Sequence, residues 1–232
     1  MLKIAEEEEL GEQEDSKGLQ KGRIYLSSIY EKILGNSYKN LHPKLQHRYR
    51  LTEEKDFIGK GIMDEISGGS FLVRPVFTLG TKYRIFFAER GNQIPFEIVN
   101  KVTLDEKGKQ IVHWDRTFRF KEKSRYFDAI MFLNERGDEL FDYFGKPALL
   151  GSTLSITVDQ NGSMQISSKK QWLNLFGKKI PLPKFLHGVA NISESYDEGE
   201  QCYRIIVEVK NSLVGRLFYY QGKFTEVERR SE

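Results

Sequence analysis

The strongest constraint in this sequence is a pattern of alternating apolar and polar residues that recurs, with turn signals between, from Pro95 almost to the carboxyl terminus. Side chains of a strand point to opposite faces with period two, so the alternation marks strands buried on one side. FEIVNKVTL sets Phe96, Ile98, Val102 and Leu104 against Glu97, Lys101 and Thr103, and IVHWDRTFRF follows the turn Asp105-Glu106-Lys107-Gly108. YFDAIMFLN, ELFDYFG, LGSTLSITV, SMQISSKKQW, GVANISESY, YRIIVEV and GRLFYYQGKFTEV continue it, with turns at Arg136-Gly137-Asp138 and Asp159-Gln160-Asn161-Gly162. No helical segment alternates with them, which argues against a parallel sheet. The expected fold is mainly β, a large antiparallel, strongly curved sheet or barrel of roughly nine or ten strands with N-terminal helices packed on or into it.

Ahead of the strands the period is helical. Ile24, Ser28, Ile29, Ile33 and Leu34 recur at helical spacing, with Gly35-Asn36 as a C-cap, and a second helix is expected from Pro43 through Leu45, Tyr49 and Leu51. Phe57 to Ile66 reads as a strand with Ile58, Ile62 and Ile66 on one face and Gly59 and Gly61 on the other, where a bare face lets another backbone approach. Residues 70 to 88 are apolar without alternation and are read as short helical turns. A chain of 232 residues folding as one unit buries roughly 70% of its unfolded surface and needs no metal or disulfide to hold it. The expected organisation is a flexible acidic tail, residues 1–22, and a single β-rich domain, residues 23–232.

Charge supports that division. Residues 1 to 15 carry seven acids and Lys3, a net −6 against +3 for the whole chain, so the remainder carries +9. A basic body suits an anionic partner; an acidic tail is ordinarily solvated. The lone Cys202 cannot form an intramolecular disulfide, MLKIAEEEEL has neither the basic region nor the apolar core of a signal peptide, and no apolar stretch reaches membrane-spanning length. These features point to the cytoplasm.

Few chemistries have a signature here. Gly59-Lys60-Gly61 lacks the third glycine of a dinucleotide loop, Gly145-Lys146-Pro147 and Gly177-Lys178-Lys179 lack the phosphate-loop frame, and there is no Gly-x-Ser-x-Gly elbow. His42 and His47, five residues apart, diverge on a helix, so no metal site is expected and no cofactor is assigned. His113 and Asp115 share a strand face, but Arg116 lies on the other. An enzyme assembled from those three residues therefore ranks last, and the expected class is a non-enzymatic binding module.

Two constellations remain. Alternation places Val112, Trp114, Arg116, Phe118 and Phe120 on one face. If that face is interior, Arg116 needs a partner, either a carboxylate such as Asp128 or Asp142 or the acidic head group of a ligand. Trp114, Arg116 and Phe118 are thus the candidate residues for an apolar or amphipathic small molecule or lipid in a barrel cavity. The second is SSKKQWLNLFGKKIPLPKFLHG, with no acid from Gln160 to Ser193. Lys169, Lys170, Trp172, Lys178, Lys179 and Lys184 form a candidate surface-interaction loop for a protein or an anionic membrane; nucleic acid accepts the same chemistry but ranks below them. The plainer alternative makes Trp172 core and the lysines solubilising.

Three blocks carry a resemblance. His113-Trp114-Asp115-Arg116-Thr117-Phe118, Phe176-Gly177-Lys178-Lys179-Ile180-Pro181-Leu182-Pro183 and Leu213-Val214-Gly215-Arg216-Leu217-Phe218-Tyr219-Tyr220-Gln221-Gly222 resemble recurring blocks of a bacterial family, domain of unknown function 4166. The resemblance runs from about Leu41 to the carboxyl terminus. It implies a stand-alone or appended bacterial module with no assigned activity, and carries over no catalytic residues. Residues 1–22 have no counterpart in it.

Overall fold

The computed structural model describes residues 27–69, 73–176 and 178–228. The expected acidic tail falls outside them, as do residues 70–72 of the segment read as helical turns. The described residues open with helix α1 (Ile29–Leu34), a 3-10 helix (Gly35–Asn40) and helix α2 (Pro43–Tyr49). A capping box opens α1, Ser28 Oγ accepting from Glu31 N–H while the Glu31 carboxylate accepts from Ser28 N–H. Gly35 ends it, and Pro43 stands in the first turn of α2, as the sequence indicates.

Strands β1 (Phe57–Ser67), β2 (Gly91–Leu104), β3 (Gln110–Phe120), β4 (Lys123–Tyr126), β5 (Ala129–Leu133), β6 (Leu140–Phe144), β7 (Leu150–Val158), β8 (Met164–Leu175), β9 (Lys178–Pro181), β10 (Val189–Asp197), β11 (Cys202–Asn211) and β12 (Gly215–Glu226) follow, with α3 (Arg74–Lys82) between β1 and β2. All pairings between them are antiparallel. Ten of these strands form a closed ring in chain order: β12 returns to β1, β8 pairs with β10, and β4 and β9 lie off the ring on β3 and β8. Closure removes the unpaired edges that an open sheet would present.

One expected face is corrected. A bulge between Met63 and Glu65 divides β1, so Ile66 is buried while Ile62 is 40% exposed; Phe57, Gly59 and Met63 point inward. Leu104, read with the apolar face of β2, stands exposed at the strand's end. YFDAIMFLN is two strands, because β3 pairs with β4 along its last residues and with β5 along its middle.

The inward residues form one core with the helices. Helices α1 and α2 plug one end of the barrel: His42 N–H donates to Gly162 O in the β7–β8 turn, and Tyr203 OH donates to Lys44 O. Trp114 Nε1 donates to Tyr30 OH at 2.8 Å. Arg48, 1% exposed, pins the plug from within. Its guanidinium gives two hydrogen bonds to Glu194 and one to Asn100 Oδ1, Tyr49 OH donates to Glu194, and the Phe57 ring centroid lies 4.4 Å away. Burial opposes the Arg48 charge, yet Glu194 together with Tyr49 and Tyr203 outweighs it, so the guanidinium pKa stands above its ordinary value. The opposite end carries α3, and Phe77 and Phe86 stack at 5.3 Å across the mouth over Phe218.

Candidate functional site

Between the Trp114 floor and the aromatic layer under α3 the interior is incompletely filled. The gap is a cavity of about 30 Å³, bounded by Arg116, Asp142, Ser152, Ser168 and Gln171 together with Phe86, Phe127, Phe144, Leu150, Val207 and Val209. That is room for roughly two waters.

Arg116 projects into it because β3 alternates cleanly, burying Val112, Trp114, Arg116 and Phe118. Nε donates to Phe127 O at 2.8 Å, Nη1 to Tyr220 OH at 3.3 Å, and the guanidinium carbon lies 4.0 Å from the Phe127 ring centroid. Nη2 has no partner. From β6, Asp142 enters between buried Leu140 and half-buried Phe144. Burial pushes its carboxyl up to about 7 despite the pull of Arg116, and no ion pair within 4.0 Å joins the two. Asp128, the other carboxylate weighed for Arg116, instead takes Arg84 at 2.9 Å and Lys146 at 3.3 Å.

Asp142 Oδ1 and Ser152 Oγ likewise have no hydrogen-bond partner among the described residues. Three buried polar atoms without partners therefore line one cavity. An orphaned buried polar atom costs about 1–3 kcal/mol, so three around one space call for a polar occupant.

The wall beside the cavity is unusual. β8 pairs with β10 only from Met164 to Ser167 and with β9 only from Trp172 to Leu175. Between these stretches a bulge at Lys169 and Lys170 turns Ser168 and Gln171 inward. Their side chains stand in for the missing ladder: Gly188 N–H donates to Gln171 Oε1 at 3.0 Å, Gln171 Nε2 to Gly188 O at 2.7 Å, and Ala190 N–H to Ser168 Oγ at 2.8 Å. Here the barrel is closed by side chains instead of a continuous backbone ladder.

Of the residues singled out from sequence, Trp114 and Arg116 border the cavity. Phe118 packs between Phe87 and Phe96 at 5.0 and 5.1 Å. His113 and Asp115 lie on the opposite strand face from Arg116, hydrogen-bonded to Thr103 and Lys146. Trp172 is buried on the outside of the wall against Phe141 and Tyr143, with Lys179 Nζ 5.0 Å from its ring, while Lys169, Lys170, Lys178 and Lys184 are exposed. Burial raises the pKa of Cys202, so the thiol is not activated. Among the described residues no helix is long and apolar enough to cross a membrane.

Ser152, Ser168 and Gln171 were not among the sequence candidates, because only the bulge and the partner exchange of β8 bring them to the cavity. Asp142 had a signal, an acid within the apolar alternation Leu140, Asp142, Phe144, and was one of the two carboxylates weighed.

Comparison with known proteins agrees with the block resemblance. The model of the family described as Domain of unknown function (DUF4166) matches residues 41–224. The uncharacterized protein YndH of Bacillus subtilis (strain 168) is 50% identical over 206 residues, covering 89% of this chain and 100% of that protein. With a match of that extent to the family model and a relative of that identity along its whole length, the chain belongs to the DUF4166 family.

Proposed function

We propose that the protein is a non-enzymatic binding module whose barrel takes the polar head of a small amphipathic anion, a carboxylate for example, between Arg116, Asp142 and Ser152. The observation that carries this reading is the meeting of three unpartnered polar atoms at one cavity. Arg116 Nη2 and the Ser152 hydroxyl are donors, and Asp142 becomes a third when protonated, so the set suits an acceptor-only head group. Phe86, Phe127, Phe144 and Leu150 supply an apolar lining for a short tail.

Size bounds the ligand. A cavity of about 30 Å³ takes a head group, and any tail must displace Phe86 or part the side-chain patch between β8 and β10. A long-chain lipid would need such a change. The test has two steps. Mass spectrometry of whatever leaves the protein after gentle purification from its own host identifies the class. Titration calorimetry with butanoate, hexanoate and octanoate, on wild type and Arg116→Gln, then reads the head-group contact. Saturable binding weakened at least about tenfold in the variant is expected from loss of a charge-assisted pair. No co-purified compound and no saturable heat with any of the three acids would sink the proposal.

A further inference from the structure

Large apolar side chains are exposed very unevenly. Of the fourteen among the described residues, all but Ile62, Leu104 and Ile206 lie on or beside the end of the barrel opposite the α1–α2 plug. They come from separate connections: Val76 (64% exposed) and Leu79 from α3, Phe176 at the β8–β9 tip, Phe185 and Leu186 before β10, and Leu213 (73%) between β11 and β12. The fold ties these connections together. Asn211 Nδ2 donates to Phe185 O and His187 O, while Asn211 Oδ1 accepts from Leu213 and Val214 N–H, so two of the loops form one surface. Gly69 N–H donates to Arg216 O, and Phe77 of α3 packs on Phe218 at 6.4 Å, which brings α3 beside the start of β12. A monomer rarely leaves so much apolar surface in one place without a use for it.

Cations are interleaved with these side chains. Arg74, Lys82, Lys178, Lys179 and Lys184 are exposed, and among the described residues none has a carboxylate within 4.0 Å. No acid occurs in the sequence from Gln160 to Ser193. By contrast, the acids near the plug pair with its histidines, Glu198 with His42 and Glu226 with His47.

We propose that the α3 end of the barrel docks on the surface of an anionic lipid bilayer. Val76, Leu79, Phe176, Phe185, Leu186 and Leu213 enter the headgroup boundary, and the unpaired cations meet lipid phosphates. Apolar side chains and unpaired cations on one face are the two elements of interfacial binding. A soluble acidic protein would match the charges but leave the protruding apolar tips without a medium. The surface is independent of whatever the cavity holds.

The test is flotation of full-length protein with phosphatidylcholine vesicles, with and without phosphatidylglycerol. Wild type is expected to float with the anionic vesicles and to stay behind with the neutral ones. Each lysine near a charged surface contributes about fivefold to binding, so Lys178→Glu/Lys179→Glu/Lys184→Glu is expected to lose at least about a hundredfold. Phe185→Ser/Leu186→Ser, both about half exposed, is expected to bind more weakly while melting like wild type. Wild type that ignores anionic vesicles, or a triple variant that binds as well as wild type, overturns the proposal. So does a dimer in sedimentation equilibrium that Phe185→Ser/Leu186→Ser abolishes, because it would assign the surface to a second copy of this chain.

Discussion

Asp142 is the residue at which burial, charge and pH meet. Its folded-state pKa stands near 7 against an ordinary 3.8, so the folded chain holds a proton that the unfolded chain releases between those values. Stability contributed by that proton is complete below about pH 4 and is lost as pH climbs through 7. Between about pH 5 and pH 8 the loss is on the order of 3 kcal/mol, or roughly 6–12 °C of melting temperature for a chain of this size. Asp142→Asn keeps the shape without the charge, so its melting temperature should rise relative to wild type across that interval, most steeply between pH 5 and 7. A difference that stays flat with pH would show that Asp142 does not titrate as the cavity implies. Alternation exposed the problem at this site by placing Arg116 and Asp142 among apolar neighbours. It could not show that the two fail to pair, since that depends on β5 standing between β3 and β6 in the barrel wall.

Among the elements, the strands of the ring were legible where they bury one side and therefore alternate, whereas β4 and β9, with no buried residue, carry no such signal. What stayed hidden were the places where a strand changes partner or register, such as the bulge that turns Ile62 outward and the exchange at Lys169 and Lys170 that turns Gln171 inward. Trp172 illustrates the limit. It is buried, but on the outer side, because β9 folds back beside it and Gly151 opposite leaves room for the indole. The bare glycine face of β1 was legible, and β12 carries a glycine of its own, Gly222, on the other side of the β1–β12 seam. A Cβ on Gly222 would collide with the Ile62 carbonyl oxygen and lie 2.5 Å from Met63 Cα, both backbone atoms that cannot rotate away. Gly222→Ala should therefore cost about 3 kcal/mol or more and lower the melting temperature by roughly 6 °C or more. Gly199→Ala, facing only the Asp197 carboxylate at 3.3 Å, should stay within about 1 kcal/mol. Equal melting of the two variants would remove the close approach as the reason for a glycine there.

At the scale of the molecule the barrel has two unlike ends, one sealed by its own chain and one rimmed with uncovered apolar and basic side chains. Sequence periodicity could not separate an open curved sheet from a closed ring, because closure is a pairing between β1 and β12, far apart in the chain. The seal at the plug end makes a prediction about the whole fold. Glu194 is fully buried and accepts from Arg48 and Tyr49, both of the plug segment, while Asn100 holds Arg48 from the other side. A chain lacking residues 1–51 would lose Arg48 and leave a carboxylate stranded in the lumen, a break that costs about 3–5 kcal/mol by itself. It would also bare Tyr203, Phe57 and Trp114, which the helices now cover or contact. With domains stable by only about 5–15 kcal/mol, the truncated chain should lose its sharp thermal transition and bind a hydrophobic dye, while keeping a β-type far-ultraviolet spectrum. Adding Glu194→Gln to the truncation should recover part of the loss, because the neutral amide is cheaper to strand than the carboxylate. If the truncated chain melts cooperatively within a few degrees of full length, the helices are an accessory and the strands alone specify the closed barrel.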